Sequence, residues 1–192
     1  SSSWLVASLV LTSSLQADLI SIGPFIGDRS ENFSSFPGGT GNMSSLDIFG
    51  GDVSLATTNN GSIKIEFSSL RDGDQVVPYS PPVMMGHFHP LEWHFHTPIS
   101  QFGGFFENNS RFDDIEISFY NSQDNLIGTV VANAPKADQV WTWNGWRSNV
   151  LVSRITTAGF DVAFLSGFVW YDNMEISYAV VPEPSAAMLL LA

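Results

Sequence analysis

Cysteine is absent from the 192 residues, which excludes disulfides, thiolate metal sites and thiol nucleophiles. Basic residues are scarce: seven Lys and Arg stand against nineteen Asp and Glu, for a formal net charge of −12. The seven (Arg29, Lys64, Arg71, Arg111, Lys136, Arg147, Arg154) are too scattered to form the basic stripe that displaces phosphate counterions. Nucleic acid is therefore excluded as a partner, and anionic membrane surfaces are disfavoured. Charged residues make up 14 % of the chain, below the roughly 25 % of an average soluble domain, so Ser, Thr, Asn and Gly must cover much of the surface. Motifs that carry chemistry are also missing. No G-x-S-x-G elbow accompanies the many serines, and the glycine-rich run from Pro37 to Asn42 lacks the lysine of a phosphate-binding loop. A D-x-E pair at Asp114 and Glu116 sits on an alternating strand pattern of the solvated kind. No catalytic residues, and no enzyme, are expected.

What remains is rich in aromatic residues, 13 % of the chain, with sixteen glycines and ten prolines dispersed among them. Between residues 18 and 180 no window carries helical periodicity free of Gly, Pro or Asn. Residues 52–57, 62–67, 114–120 and 173–179 instead alternate polar with apolar, as half-buried antiparallel strands do. Turn signals separate such stretches at residues 59–61, 71–74, 123–125, 144–145 and 158–159. The pattern predicts an all-β fold, a two-sheet antiparallel β-sandwich of the jelly-roll or carbohydrate-binding-module kind, in one domain spanning 18–180.

Three groups of residues in that domain could carry binding. All four histidines fall within ten residues, His87, His89, His94 and His96. In a strand each His-x-His pair shares a face, so the group either chelates a metal or lines an exposed strand face between buried Phe88 and Phe95. The segment from Trp93 to Pro98 is similar to the zinc-binding strand of α-type carbonic anhydrases, but Ser118 stands where a third histidine would be needed, so a three-histidine zinc site is not expected. Second, Trp141, Trp143 and Trp146 stand within six residues beside Asn144 and Arg147. Flat rings with polar neighbours suit stacking on a pyranose, making polysaccharide the expected partner, while core packing is the competing use of the same indoles. Third, carboxylates recur beside turns. Asp28, Glu31 and Asp172, near the two ends of the domain, are candidates for a structural calcium, against the alternative of solvated turn acids.

The two ends differ from the middle. Residues 4–15, WLVASLVLTSSL, are followed by Gln16-Ala17 and then the polar Asp18. That is the apolar core and small-residue cleavage site of a signal peptide, expected over 1–17 and clipped at its N-terminus. At the other end Val181-Pro182-Glu183-Pro184 stops the domain and opens an apolar segment, residues 181–192. This motif resembles the start of a PEP-CTERM sorting signal, truncated before its membrane helix and basic tail are complete. Three inner phrases also resemble PEP-CTERM ectodomains: HTPISQFGGFF at 96–106, as a strand entry; FYNSQDNLIG at 119–128, as a hairpin; and GFVWYDNMEI at 167–176, as a closing strand. The resemblance, over about 94–184, implies a bacterial exported, cell-surface or extracellular lectin-like sandwich. It further implies processing by an exosortase-type membrane enzyme, transient membrane association through the C-terminal signal, and no catalytic residues. Taken with the tryptophan group, it suggests an exported protein that binds polysaccharide; an adhesive or structural matrix protein without a specific ligand is the alternative, and a metal-dependent or carbohydrate-active enzyme the third reading.

Overall fold

The computed structural model describes residues 18–58, 61–71, 74–108, 114–135, 137, 139–159 and 168–179. The export segment expected over 1–17 and the sorting segment with Pro182, Glu183 and Pro184 lie outside the described residues. The described strands are, in chain order, β1 (Leu19–Ser21), β2 (Arg29–Glu31), β3 (Thr40–Met43), β4 (Ser45–Ile48), β5 (Val53–Thr57), β6 (Ser62–Glu66) and β7 (Ser69–Arg71). They continue with β8 (Asp74–Val76), β9 (Met84–Phe88), β10 (Leu91–Asn108), β11 (Glu116–Tyr120), β12 (Leu126–Val131), β13 (Thr142–Ala158) and β14 (Val169–Tyr178). Every pairing is antiparallel, as the alternating sequence predicts.

Two long strands, β10 and β13, run through both layers of a sandwich. Their pairing is interrupted twice: His94 faces Arg154, Ile99 faces Val152, and Gln101 faces Arg147. The excess residues fall first on β10, at Phe95–Pro98, and then on β13, at Ser148–Leu151, so both strands turn the same corner by compensating bulges. Pro98 has no N–H to offer a ladder and suits this position. The phrase at 96–106 is therefore a mid-strand corner, not a strand entry. On one side of the corner the first layer runs β12-β11-β13-β10-β5-β4. On the other side the second layer runs β1-β13-β10-β14-β9-β6-β3, with β2 beside β14 past the end of β9.

The inner faces meet through aromatic rings. Trp93 of the first layer packs edge-on against Phe102 and Tyr171 of the second, and Phe119 of the first against Phe102 and Trp146 of the second. With no disulfide available, such ring pairs carry both the apolar burial and the orientation-dependent attraction that fix the layers. The hairpin expected at 119–128 forms as β11–β12, and the closing strand expected near 167–176 forms as β14.

The core also holds a polar cluster. His87 on β9 is buried; its Nδ1–H donates to the His89 carbonyl at 2.6 Å, and its Nε2 lies 2.8 Å from the Tyr171 hydroxyl. That hydroxyl donates to Thr157 Oγ1 at 2.9 Å, which also receives the Trp93 indole N–H at 3.3 Å. One neutral imidazole thereby ties both layers to the turn before β10, where His89 adopts φ +68°. Burial pushes the His87 imidazole from 6.5 down to about 4. Asp172 on β14 is shifted the other way. Burial raises its carboxyl from 3.8 to about 6, partly offset by the backbone N–H groups of Ser80 at 2.7 Å and Asn173 at 2.8 Å.

These two groups act oppositely as pH falls. The unfolded chain protonates His87 below 6.5 and the native state only near 4, so native stability is lost across that window. Native Asp172 takes its proton before the unfolded chain does, so it returns stability between about 6 and 3.8. We expect Asp172→Asn to uncover the histidine contribution: urea unfolding of the variant should lose roughly 3 kcal/mol between the two His87 values, with a flatter wild-type profile. Parallel pH profiles for the two proteins would refute this assignment.

Candidate functional site

Alternation along β13 divides its aromatic residues between two faces. Asn144 and Trp146 point inward, and Trp143, Gly145 and Arg147 outward. Trp146 is 5 % exposed and lies parallel to Phe102, with Phe106 and Phe119 edge-on to it. It is a core residue, not the exposed stacking surface the sequence suggested. The reason is that Asn144-Gly145 is not a turn. It lies in mid-strand, paired with Gly104 and Gly103 of β10.

Those glycines make room for Trp143. A Cβ on Gly145 would sit 2.9 Å from the indole Nε1, and one on Gly103 3.0 Å from Cζ2. The ring lies over a trough of bare backbone that any side chain would fill. Asn144 is also structural: its Oδ1 accepts the Asn133 N–H at 2.7 Å, and its Nδ2 donates to the carbonyls of Asn133 and Thr142. Trp141 is half-buried, its indole N–H on the Val77 carbonyl at 3.0 Å, packed on a small outer cluster of Val76, Met84 and Trp170. Gly86 lies beneath that cluster, where a Cβ would meet the Trp170 ring at 2.3 Å. Arg147 is exposed on the outer face of β13.

A strap completes the site around Trp143. β1 pairs with β13 while β2 pairs with β14, so residues 22–28 must cross four strand spacings, about 19 Å, a distance seven extended residues can span. The strap crosses on the outer face. Ile22 N–H bonds the Gly145 carbonyl at 2.8 Å, the Ile22 carbonyl accepts the Trp143 indole N–H at 3.4 Å, and Gly27 N–H reaches Glu175 Oε2 at 2.9 Å. Midway, the Phe25 ring stands edge-on to Trp143 at 5.9 Å and 83°. Phe105 of β10 approaches the same indole at 5.5 Å and 78°, and is itself stacked by Tyr79 at 3.7 Å.

The result is a cleft of about 370 Å³ lined by Phe25, Phe105 and Trp143 on the apolar side and by Ser30, Glu31, Asn32, Asn173 and Glu175 on the polar side. Asn173 adopts φ +48° at a bulge in β14. Opposite it Gly104 is needed, because a Cβ there would lie 2.2 Å from Met174 Sδ. The irregularity turns Asn173 and Glu175 toward one cleft. Burial pushes the Glu175 carboxyl upward, and the Gly27 N–H opposes the shift. Of the residues singled out by sequence, Trp143 and Glu31 line this cleft; Trp141, Asn144, Trp146 and Arg147 do not. Phe25, Ser30, Asn32, Phe105, Asn173 and Glu175 are not among the sequence candidates, since only the long-range path of the strap and the β14 bulge bring them together.

The metal-binding candidates do not converge. Among the described residues no three of the His, Asp and Glu side chains are grouped to hold an ion. His87 is committed in the core, the opposite of the exposed face expected for it. His94 bonds Glu92 at 3.0 Å and His96 bonds Ser54 at 3.1 Å on the outer side of the first layer. The register places Ser54 and Arg154 opposite His94, so β11 is not the neighbour of the histidine strand. The three calcium candidates are engaged by separate backbone amides. Asp28 accepts from Tyr178 at 2.8 Å, Glu31 from Phe33 at 2.8 Å and Phe49 at 2.9 Å, and Asp172 from Ser80 and Asn173. Glu31 thereby holds two phenylalanines at positive φ, 60° and 53°, with both rings in the core.

No family model and no curated protein matches the chain. Distant likenesses are found among solved structures. The chain is similar to an arabinose-bound MgGH51 α-L-arabinofuranosidase (9 % identity, TM-score 0.42), covering 64 % of this chain and 23 % of that one. It thus spans about a quarter of that enzyme's length. It is also similar to the K2 cleaved adhesin domain of Lys-gingipain (11 %, TM-score 0.46, covering 77 % and 97 %). A third likeness is to the CBM22-1 xylan-binding domain of Paenibacillus barcinonensis Xyn10C (8 %, TM-score 0.40, covering 82 % and 100 %).

The division of the indoles gives a direct expectation for stability. Trp146→Ala should cost about 3–5 kcal/mol, as core Trp deletions do, whereas Trp143→Ala should cost about 1 kcal/mol because its ring is only partly removed from solvent. Urea unfolding of the two variants measures both; equal losses would contradict the assignment of faces.

Proposed function

We propose that the protein is an exported, non-catalytic polysaccharide-binding module whose binding site is the Trp143 cleft. The observation that supports this reading is the placement of a partly open indole over bare backbone, walled by Phe25 and Phe105 and faced by Ser30, Asn32, Asn173 and Glu175. The CH face of a pyranose would stack on the aromatic side while its hydroxyls bond the amides and carboxylates opposite. The volume, about 370 Å³, is at the low end of the roughly 300–1,000 Å³ of small-molecule sites. It suits one or two sugar units of a chain that continues into solvent.

Export is supported by the sequence at 4–17, and surface processing by the motif at 181–184. In this reading an exosortase-type membrane enzyme handles the C-terminal segment and the sandwich acts outside the cell. Retention on immobilised neutral, amino and uronic glycans tests the binding function. Trp143→Ala should lose at least tenfold in affinity, equivalent to about 1.4 kcal/mol, while keeping the native near-UV circular dichroism. Retention on a glycan that survives Trp143→Ala combined with Phe105→Ala would exclude the cleft as the binding site.

A further inference from the structure

We propose that the cleft selects a cationic glycan, a polymer of hexosamine units with free amino groups, over neutral, N-acetylated or uronic-acid chains; this deepens the polysaccharide-binding reading and rests on it. Two features of one cavity carry the inference. The first is the ring arrangement. Phe25 and Phe105 stand at 83° and 78° to the same Trp143 indole, with centroids 5.9 and 5.5 Å away. All three rings line the same cavity, so an ammonium group entering it meets aromatic surface contributed by three side chains, the kind of lining that attracts a cation.

The second feature is the charge of the lining. Glu31 and Glu175 both line the cleft, and among the described residues no Lys, Arg or His does. Among the described residues neither carboxylate forms an ion pair. Glu31 accepts two backbone N–H groups, and Glu175 accepts one through Oε2. Three of the cations are engaged elsewhere. Arg29, adjacent to Ser30, bonds Asp52 at 2.8 Å; Arg154 bonds Asp124 in the first layer; Lys64 lies over the Phe168 ring at 4.9 Å. Arg147 is exposed on the outer face of β13 beyond Gly145 and is not part of the lining.

A ligand carboxylate would meet two like charges in a partly desolvated site, a repulsive arrangement that rejects uronic chains. A neutral sugar would gain stacking and hydroxyl contacts alone. A protonated amino sugar would add a charge-assisted bond to Glu175 and the attraction of the rings. The net charge of −12 favours the encounter of the protein with a cationic polymer in the same direction.

Calorimetric titration of the full chain with oligomers of glucosamine, N-acetylglucosamine, glucose and galacturonate, matched in length, tests the proposal. The glucosamine oligomer should bind at least tenfold tighter than its N-acetylated counterpart, with the advantage shrinking as salt screens the charges. Glu175→Gln should remove that advantage, so that the glucosamine and N-acetylglucosamine oligomers bind the variant with comparable affinity, and Trp143→Ala should weaken both. Comparable binding of the glucosamine, N-acetylglucosamine and glucose oligomers, unaffected by Glu175→Gln, would overturn the selectivity and leave polysaccharide binding standing. Tighter binding of the galacturonate oligomer would do the same. Failure of all four to bind a protein with native circular dichroism would instead overturn the polysaccharide-binding reading itself.

Discussion

The pairing of β10 with β13 is the constraint on which the rest of the molecule depends. These two strands run side by side from Phe106–Thr142 to Leu91–Thr157 and turn one shared corner, so they belong to both layers at once. Once their register is set, β5 and β11 are placed in one layer and β1 and β14 in the other. The corner also sets the phase of side-chain alternation on each arm, because the period of a strand is two and a slip of one residue exchanges its faces. The core ring contacts between Trp93, Phe102, Phe119, Trp146 and Tyr171 all follow from that phase.

The same phase decides which aromatic residues are available to a ligand. Trp143 and Trp146, three residues apart, end on opposite faces. Short-range pattern misassigns them because Asn144-Gly145 carries the chemistry of a turn. The facing glycine pair, Gly103 with Gly145, gives those residues a different use, a trough for the Trp143 ring. The outer face then acquires its cleft from residues far apart in the chain: the strap at 22–28, Phe105 on β10, and Asn173 with Glu175 at the β14 bulge.

Local pattern was enough for the fold class, for strands such as Val53–Thr57, Ser62–Glu66 and Glu116–Tyr120, and for the hairpin around Asp124. Their alternation and turn residues are properties of a few neighbouring positions. Local pattern was not enough for the corner at Phe95–Pro98, where the excess residues make sense only against the compensating excess on β13. Nor did it reveal that His87 faces inward while His94 faces outward, since the turn at His89, with its positive φ, resets the alternation between β9 and β10. The carboxylates offered a similar ambiguity. Glu31, Asp28 and Asp172 lie beside turns near the two ends of the domain, where ion ligands are often found, but each accepts backbone N–H groups at an irregular point of the chain.

Stability without disulfides and the proposed binding at the surface thus draw on one residue type, divided by strand phase: inward rings join the layers, and outward rings on the second layer line the cleft. The most direct test of that division is nuclear magnetic resonance of the indole N–H signals during titration with a glycan that the protein retains. The Trp143 signal should move with saturation while those of Trp93 and Trp146 stay in place. A saturating ligand that leaves Trp143 unmoved, or that shifts Trp146 in its stead, would contradict the account.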